Sequence, residues 1–504
     1  MKTTSEDLFQ LIHSLRKSEK RSFKLSASVD KKEKLYITIF DLVAAQKTYD
    51  EETIVKKLNI QKSVFAVYKN HLYHLLLQRM AFLFQGKETE LRMLLTQADF
   101  LQSKGLYSQY EKILRRVKNL SADYDADTYL FEIHNMEHQN AWRKRDLLQA
   151  ESVMKEDKKI LALFNNKRQY RHISNEIIIA LSRKGDGRNR EEAKKINTLM
   201  KNPLITNEKN ALTFRSKNSL YHTLSLYYSV NDDAHKQYHF AKKAVDLYLN
   251  SPEKIQYDPF AYLLTLHLML VACHTLRKFD EAKNYIDKLR VDPSLLKNER
   301  EKNWAFFTYN DSNLHYYIIT GRFAEGALAS EELTRELDQY IAKLETTQTT
   351  VLYSHMAKLF FGADNYSKCL FWLNRILNEK YILDARPGFE SNIKLFYLIV
   401  HFEKGNYDLL QSLVKSTYNE LSGKGLLYKF ESAMLVFFGK KFRGKEESAE
   451  AFKDLSREIT HIAKEEKMPF EEFDYLSWIE SKIQNKSFAE IMSEKVKSKA
   501  ASKP

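Results

Sequence analysis

A chain of 504 residues with only 13 Gly and 7 Pro is poor in the residues that build tight turns, which argues against a sheet-rich fold and for long helices joined by polar loops. Two cysteines, Cys273 and Cys369, exclude a disulfide framework and fit a reducing compartment, and the longest apolar run, Ala261 to Cys273, is broken by His267 and too short to span a bilayer. A formal charge of +14 favours acidic partners: nucleic acid, anionic lipid or an acidic protein face.

The first 86 residues carry 15 basic against 9 acidic side chains, or +6, while the remaining 418 carry +8. Glu6 and Asp7 near the start, without a small-residue cleavage site, argue against a secretory signal and for a cytoplasmic protein. Helix signals run over 6–16, 31–46, 51–58 and 63–84. Asp50 can cap the short third helix, and Asn59-Ile60-Gln61 can turn the chain. Val64, Phe65, Tyr68, Leu72, Leu75, Leu76 and Leu83 then share one face at helical spacing. Short helix, tight turn and longer helix is the helix-turn-helix layout. In a DNA-binding role Lys62, Lys69 and Asn70 would lie on the polar side of the second helix, where basic and amide groups reach phosphates and base edges. A capping bundle for a helical stack uses the same pattern.

Beyond residue 86 one local pattern recurs: a helix, a small or polar residue, any residue, an aromatic, and another helix. Gly105-Leu106-Tyr107, Gly321-Arg322-Phe323 and Gly405-Asn406-Tyr407 are the clearest cases, and Arg277-Lys278-Phe279 and Asp364-Asn365-Tyr366 are variants. From Phe279 the aromatics recur after 44, 43 and 41 residues, and Tyr107 precedes Phe279 by 172, four periods of 43. That spacing predicts three weaker hairpins between them, near Asp146–Ala150, Arg190–Ala193 and Tyr238–Ala241, and a ninth hairpin follows over 426–467. Each hairpin is apolar on both faces, so it buries them only against its neighbours.

The stretch LVACHTLRKFDEAKNYIDKLRVDP, residues 270–293, resembles a tetratricopeptide repeat. Phe279 stands as the aromatic of the turn, Ala282 as the small residue of close packing, and Pro293 as the end of the unit. A second match surrounds Ala357, Phe360, Tyr366 and Cys369. Leu270 and Leu314 stand where the family prefers Gly or Ala, Leu289 where it prefers Ala, and the period is near 43, not 34. The resemblance, over about 90–466, implies an all-α fold: an α-solenoid, a right-handed superhelix of antiparallel hairpins behind an N-terminal helical bundle. Residues 1–86 would form the bundle, 87–467 the solenoid, and 468–504 capping helices and a basic tail.

Sites with chemistry are few. His134-Asn135-Met136-Glu137-His138 matches the H-x-x-E-H zinc pattern, without an evident third ligand, and His235 and His239 are another pair at helical spacing. Gly439 to Lys445 reads GKKFRGK, but Glu446 follows where a phosphate loop needs Ser or Thr. Gly185-Asp186-Gly187-Arg188 and Gly423-Lys424-Gly425 read as interhelical turns. The tail from Lys482, with six Lys and two Glu, reads as an amphipathic helix and a solvated end, disordered from Ser498.

No catalytic residue, metal or cofactor is expected. The resemblance implies a scaffold that holds a protein or peptide partner in the concave groove, with Tyr309, His315, Tyr316, Tyr353 and Lys358 as candidate contacts. The alternative is a DNA-binding regulator, similar to bacterial peptide-signalling receptors that join a helix-turn-helix to tetratricopeptide repeats.

Overall fold

A computed structural model describes residues 6–27, 34–83, 87–123, 127–184, 190–378, 387–440, 445–465 and 473–501. Regular secondary structure among them is helical, without strands. None of their helices is long and apolar enough to cross a membrane. The chain forms two compact units, Met1–Ala162 and Leu163–Pro504. The division falls inside the 38-residue helix Leu147–Lys184.

The first unit opens with five helices, Asp7–Ser14, Lys17–Ala27, Lys34–Ala44, Glu51–Leu58 and Lys62–Leu83. They enclose a core of Ile12, Phe23, Phe40, Phe65 and Leu72. The helix Lys17–Ala27 escaped the sequence reading: KSEKRSFKLSA is polar nearly throughout, and among its described side chains Phe23 alone is fully buried. The Asp50 carboxylate accepts from Thr53 N at 3.1 Å, capping Glu51–Leu58 as expected. Asn59 then turns the chain with φ 50. Two hairpins follow, Lys87–Ser103 with Tyr107–Asp123, and Asp127–Lys144 with the start of Leu147–Lys184. Tyr110 sits at their centre, its hydroxyl donating to Met136 O at 3.2 Å.

The second unit continues with pairs: Phe214–Val230 with Ala234–Leu249, Pro259–Thr275 with Phe279–Leu289, Glu299–Ile319 with Phe323–Tyr340, Thr346–Gly362 with Tyr366–Leu377, Pro387–Glu403 with Tyr407–Gly423, and Lys429–Gly439 with Lys445–Glu465. Each helix packs on its chain neighbours, and first helices of several successive pairs also touch. Cys273 and Cys369 are buried thiols, and burial pushes Cys273 up to about 12.

One turn geometry joins these pairs. A residue with positive φ ends the first helix, and the second helix begins two positions later: Gly105 before Tyr107, Arg277 before Phe279, Gly321 before Phe323, Asp364 before Tyr366, and Gly405 before Tyr407. At Gly321 the amide donates to Ile318 O at 3.2 Å and the next amide to Tyr317 O at 2.9 Å. This is the Schellman closure of a helix end. Two further turns share it, at Arg145 (φ 58) before Leu147 and at Asp232 (φ 56) before Ala234. The first lies where the period places it. The second corrects the expectation of a hairpin at Tyr238–Ala241, which is mid-helix. Leu and Ala replace the aromatic at these two turns, so the aromatic spacing misplaced the second. At the remaining expected position, Arg190–Ala193, a helix begins, Arg190–Met200; the turn before it, 185–189, lies outside the described residues.

The tail departs from a solvated end. The helices Tyr475–Gln484 and Phe488–Ala501 fold back onto the second unit, and helix continues through Ser498 to Ala501. Phe488 lies 5.4 Å, ring to ring, from each of Phe323, Phe361 and Phe473. Trp478 Nε1 donates to Glu403 at 2.6 Å, and the Tyr475 hydroxyl to Asn392 Oδ1 at 2.9 Å.

Candidate functional site

The strongest polar feature of the second unit is a row of imidazoles around one carboxylate, half-buried except for the buried His355. Three consecutive first helices supply it. Pro259–Thr275 starts at a proline behind Asp258, whose carboxylate accepts from Ala261 N at 3.2 Å. Glu299–Ile319 is capped by Asn298, and Thr346–Gly362 by a reciprocal Glu345–Gln348 box. With ends fixed in this way, residues one repeat apart fall at equivalent places. His267, Asp311 and His355 are spaced 44 and 44 apart.

The His355 Nε2 donates to Asp311 Oδ1 at 3.1 Å. The ring of His315 stands 5.5 Å from that of His355 and 5.2 Å from that of His274, and His267 packs edge-on to Trp304 at 6.0 Å. One hairpin earlier, His222 Nε2 meets Thr265 Oγ1 at 2.8 Å. Burial disfavours the charged imidazole and holds His222 and His274 down at about 4. Burial likewise lowers His267 and His315, and at His315 the rings of His355 and His274 add to the effect. Burial alone would raise Asp311, but the hydrogen bond from His355 and the neighbouring imidazoles outweigh it and hold the carboxyl below its usual range. The nitrogens His267 Nδ1, His274 Nε2 and His355 Nδ1 are buried without a hydrogen-bond partner. The row joins two helices through the His355–Asp311 hydrogen bond and leaves imidazole nitrogens with unused hydrogen-bonding capacity.

Of the five candidate groove contacts, His315 and Lys358 lie on this row; the charge of Lys358 is felt at His315. The other three do not join them. Tyr316 is buried, its hydroxyl accepting from Arg322 Nη1 at 3.2 Å. Tyr353 is buried against Trp372, its hydroxyl accepting from Arg375 Nη1 at 3.3 Å. Both therefore serve packing between helices, which corrects their assignment as groove contacts. Tyr309 lines a separate cavity of about 370 Å³ that also includes Arg290 and Glu336. The sequence reading missed His267, His274, Asp311 and His355, although the repeat of 44 that aligns three of them is legible.

The H-x-x-E-H segment does not assemble as a zinc pair. His138 is turned away and accepts from Trp142 Nε1 at 2.9 Å. His134 instead meets Glu137 and Glu156, the three within 4.8 Å of one another. The Lys118 ammonium donates to both carboxylates, at 2.9 and 2.7 Å, so the two acids already share a side-chain cation. His235 and His239 are both exposed on Ala234–Leu249. In GKKFRGK, Gly439 ends a helix and Lys445 begins the next; 441–444 lie outside the described residues.

In the N-terminal bundle Lys62 and Asn70 are exposed, but Lys69 is only 8% exposed. Its ammonium pairs with Glu51 Oε2 at 2.6 Å and stands over the rings of Tyr49 and Phe65. The polar side of the helix is thus partly an internal face, which corrects the placing of Lys69 among groups free for DNA.

Fold and site define, among the described residues, an all-helical protein of neighbour-packed hairpins with a partly buried histidine–aspartate row. No protein-family model matches the chain, and no curated protein matches it significantly.

Proposed function

We propose that this is a non-enzymatic, tetratricopeptide-like scaffold that binds a protein segment or peptide in the cytoplasm. The observation that carries the reading is the exposed apolar side chains on the hairpin turns of the first unit. Trp142 is 56% exposed, Leu147 62% and Leu148 81%, around the turn at Arg145. The neighbouring turn adds Leu106 at 44%, and the Arg143 guanidinium stacks 3.3 Å above the Tyr107 ring, linking the two turns. Solvated turns favour polar residues, and grouped exposed aromatic and aliphatic side chains mark contact surfaces. The hairpins that recur after 44, 43 and 41 residues from Phe279 support the repeat reading, since each leaves apolar faces that only a neighbour can cover.

The test is affinity capture with the full chain beside the variant Trp142→Ser/Leu147→Ser/Leu148→Ser, read by mass spectrometry. A partner recovered by the parent and lost from the variant is the expected result. Recovery of no partner, or equal recovery by a variant of unchanged helicity, overturns the proposal.

A further inference from the structure

A cavity of about 250 Å³ lies within the second unit, between the C-terminal helices and the turn edge of two hairpins. His274, Arg277 and His315 line it from the hairpins, and Asp474 and Lys495 from the C-terminal segment. The apolar part of the wall includes Phe279, Ile319 and Met492.

Both walls are held in place. On the hairpin side the Arg277 backbone is locked at φ 56 by the turn closure, with Lys278 N donating to Cys273 O at 2.8 Å. On the other side the Phe488 ring is clasped by three aromatic rings. The helix then passes so near Gly321 that a Cβ there would stand 3.0 Å from Ser493 Oγ. A ligand entering this space meets a preformed cleft, the arrangement that costs least to fill.

Of the two cations that line the cleft, Lys495 and Arg277, only the first is paired. Lys495 pairs with Glu480 at 2.9 Å and donates to Ser477 Oγ at 2.7 Å. Asp474 caps its helix, accepting from Ser477 N at 2.9 Å and Ser477 Oγ at 2.6 Å. The Arg277 guanidinium is exposed and makes no hydrogen bond or ion pair among the described residues. His274 Nε2 is buried without a partner. A guanidinium fork matches a carboxylate in two parallel hydrogen bonds. A dianionic phosphate would place a second negative charge beside Asp474.

We propose that this cleft binds a small organic carboxylate, its anion on Arg277, its apolar body against Phe279, Ile319 and Met492, and the imidazoles of His274 and His315 as hydrogen-bonding neighbours. Burial keeps both imidazoles uncharged near neutral pH, so they add donors and acceptors without changing the charge match. One wall belongs to the C-terminal helix, so an occupied cleft also ties that helix to the hairpins. The site stands apart from the scaffold reading, since it lies in the second unit and needs no protein partner.

Isothermal titration of the full chain with hexanoate, hexan-1-ol and inorganic phosphate tests the proposal. Hexanoate should bind saturably, and the other two should not. Arg277→Gln keeps a side chain of similar reach and the same backbone demand; it should weaken hexanoate by about tenfold or more, the loss of a charge-assisted pair. Met492→Trp should block the site while leaving the Phe488 anchor in place. Absence of hexanoate binding, affinity unchanged in Arg277→Gln, or phosphate binding as tightly as hexanoate each overturns it.

Discussion

The ring of Phe323 occupies the place where a Cβ on Gly362 would have to be: its Cγ, Cδ1 and Cδ2 atoms would all overlap such an atom. Phe323 opens the second helix of one hairpin, and Gly362 closes the first helix of the next. Phe323 cannot retreat, because it is 2% exposed and Phe488 stands behind it. Gly362→Ala should therefore destabilise the second unit by about 1–3 kcal/mol, the usual range for overpacking a closed core. Urea unfolding followed by far-UV circular dichroism measures it. A midpoint equal to the parent's would mean the contact is looser than the geometry shows.

The Glu51–Lys69 pair makes a different demand on the N-terminal bundle. Their side chains are 16% and 10% exposed, and Tyr49 donates to the same carboxylate oxygen at 2.9 Å. Burial raises the Glu51 carboxyl, but the bonds from Lys69 and Tyr49 outweigh it and hold it below the usual range. Lys69→Met leaves this carboxylate without its cation and should cost about 2 kcal/mol, between an exposed pair and a fully buried one. The double variant Lys69→Met/Glu51→Gln should recover part of that loss. For DNA binding the more direct probe is then Lys62→Glu, because Lys62 is exposed; its charge is felt at Glu51, so the far-UV circular dichroism of the variant has to match the parent's. A salt-dependent affinity of the full chain for duplex DNA that falls in Lys62→Glu would favour the regulator reading.

What the sequence disclosed follows the range of the forces involved. Turns closed by a positive-φ residue and an aromatic two positions on are local, so Gly105, Arg277, Gly321, Asp364 and Gly405 could be placed from residues next to them. Arg145 and Asp232 close the same turn, but Leu147 and Ala234 stand where the aromatic would, and a signal carried by one side-chain type does not survive its replacement. Lys69 looked like a surface residue because a helical face shows what is polar, not which polar group finds a partner 18 positions earlier. The fold-back of Phe488 onto Phe323 and Phe361 spans well over one hundred residues and leaves no local trace. The histidine–aspartate row lies between these extremes, since its spacing of 44 is readable but its burial is not.

Acid should weaken the second unit well before ordinary carboxylate titration begins. His222 and His274 are held down at about 4 in the folded chain and return to about 6.5 when it unfolds. Between those values the unfolded state binds more protons, so stability is full above about pH 6.5 and falls as pH drops toward about 4. His267 and His315 shift in the same direction and add to the loss. Each proton taken up only on unfolding costs about 1.4 kcal/mol per pH unit in that window. Urea midpoints from pH 7.5 to about 4.5 should therefore fall steeply, and His222→Gln/His274→Gln should flatten the slope. A double variant with the parent's slope would assign the acid sensitivity to other groups.

Phe488 should be the anchor of the C-terminal fold-back. It is 8% exposed, parallel to Phe473 with an interplanar angle of 11°, and it covers Phe323 and Phe361. Removing the ring forfeits its transfer free energy and leaves a cavity bounded by three aromatics, so Phe488→Ala should cost about 3 kcal/mol or more. The ion pairs along the same helix, Lys486 with Glu494 at 2.8 Å and Lys495 with Glu480 at 2.9 Å, are partly exposed and contribute far less. Lys486→Ala should accordingly leave the urea midpoint nearly unchanged. Hydrogen exchange separates local detachment from global loss. In Phe488→Ala the amides of 488–501 should exchange faster than those of Thr346–Gly362, whereas uniform acceleration through both would show that the C-terminal helix folds as one cooperative unit with the hairpins.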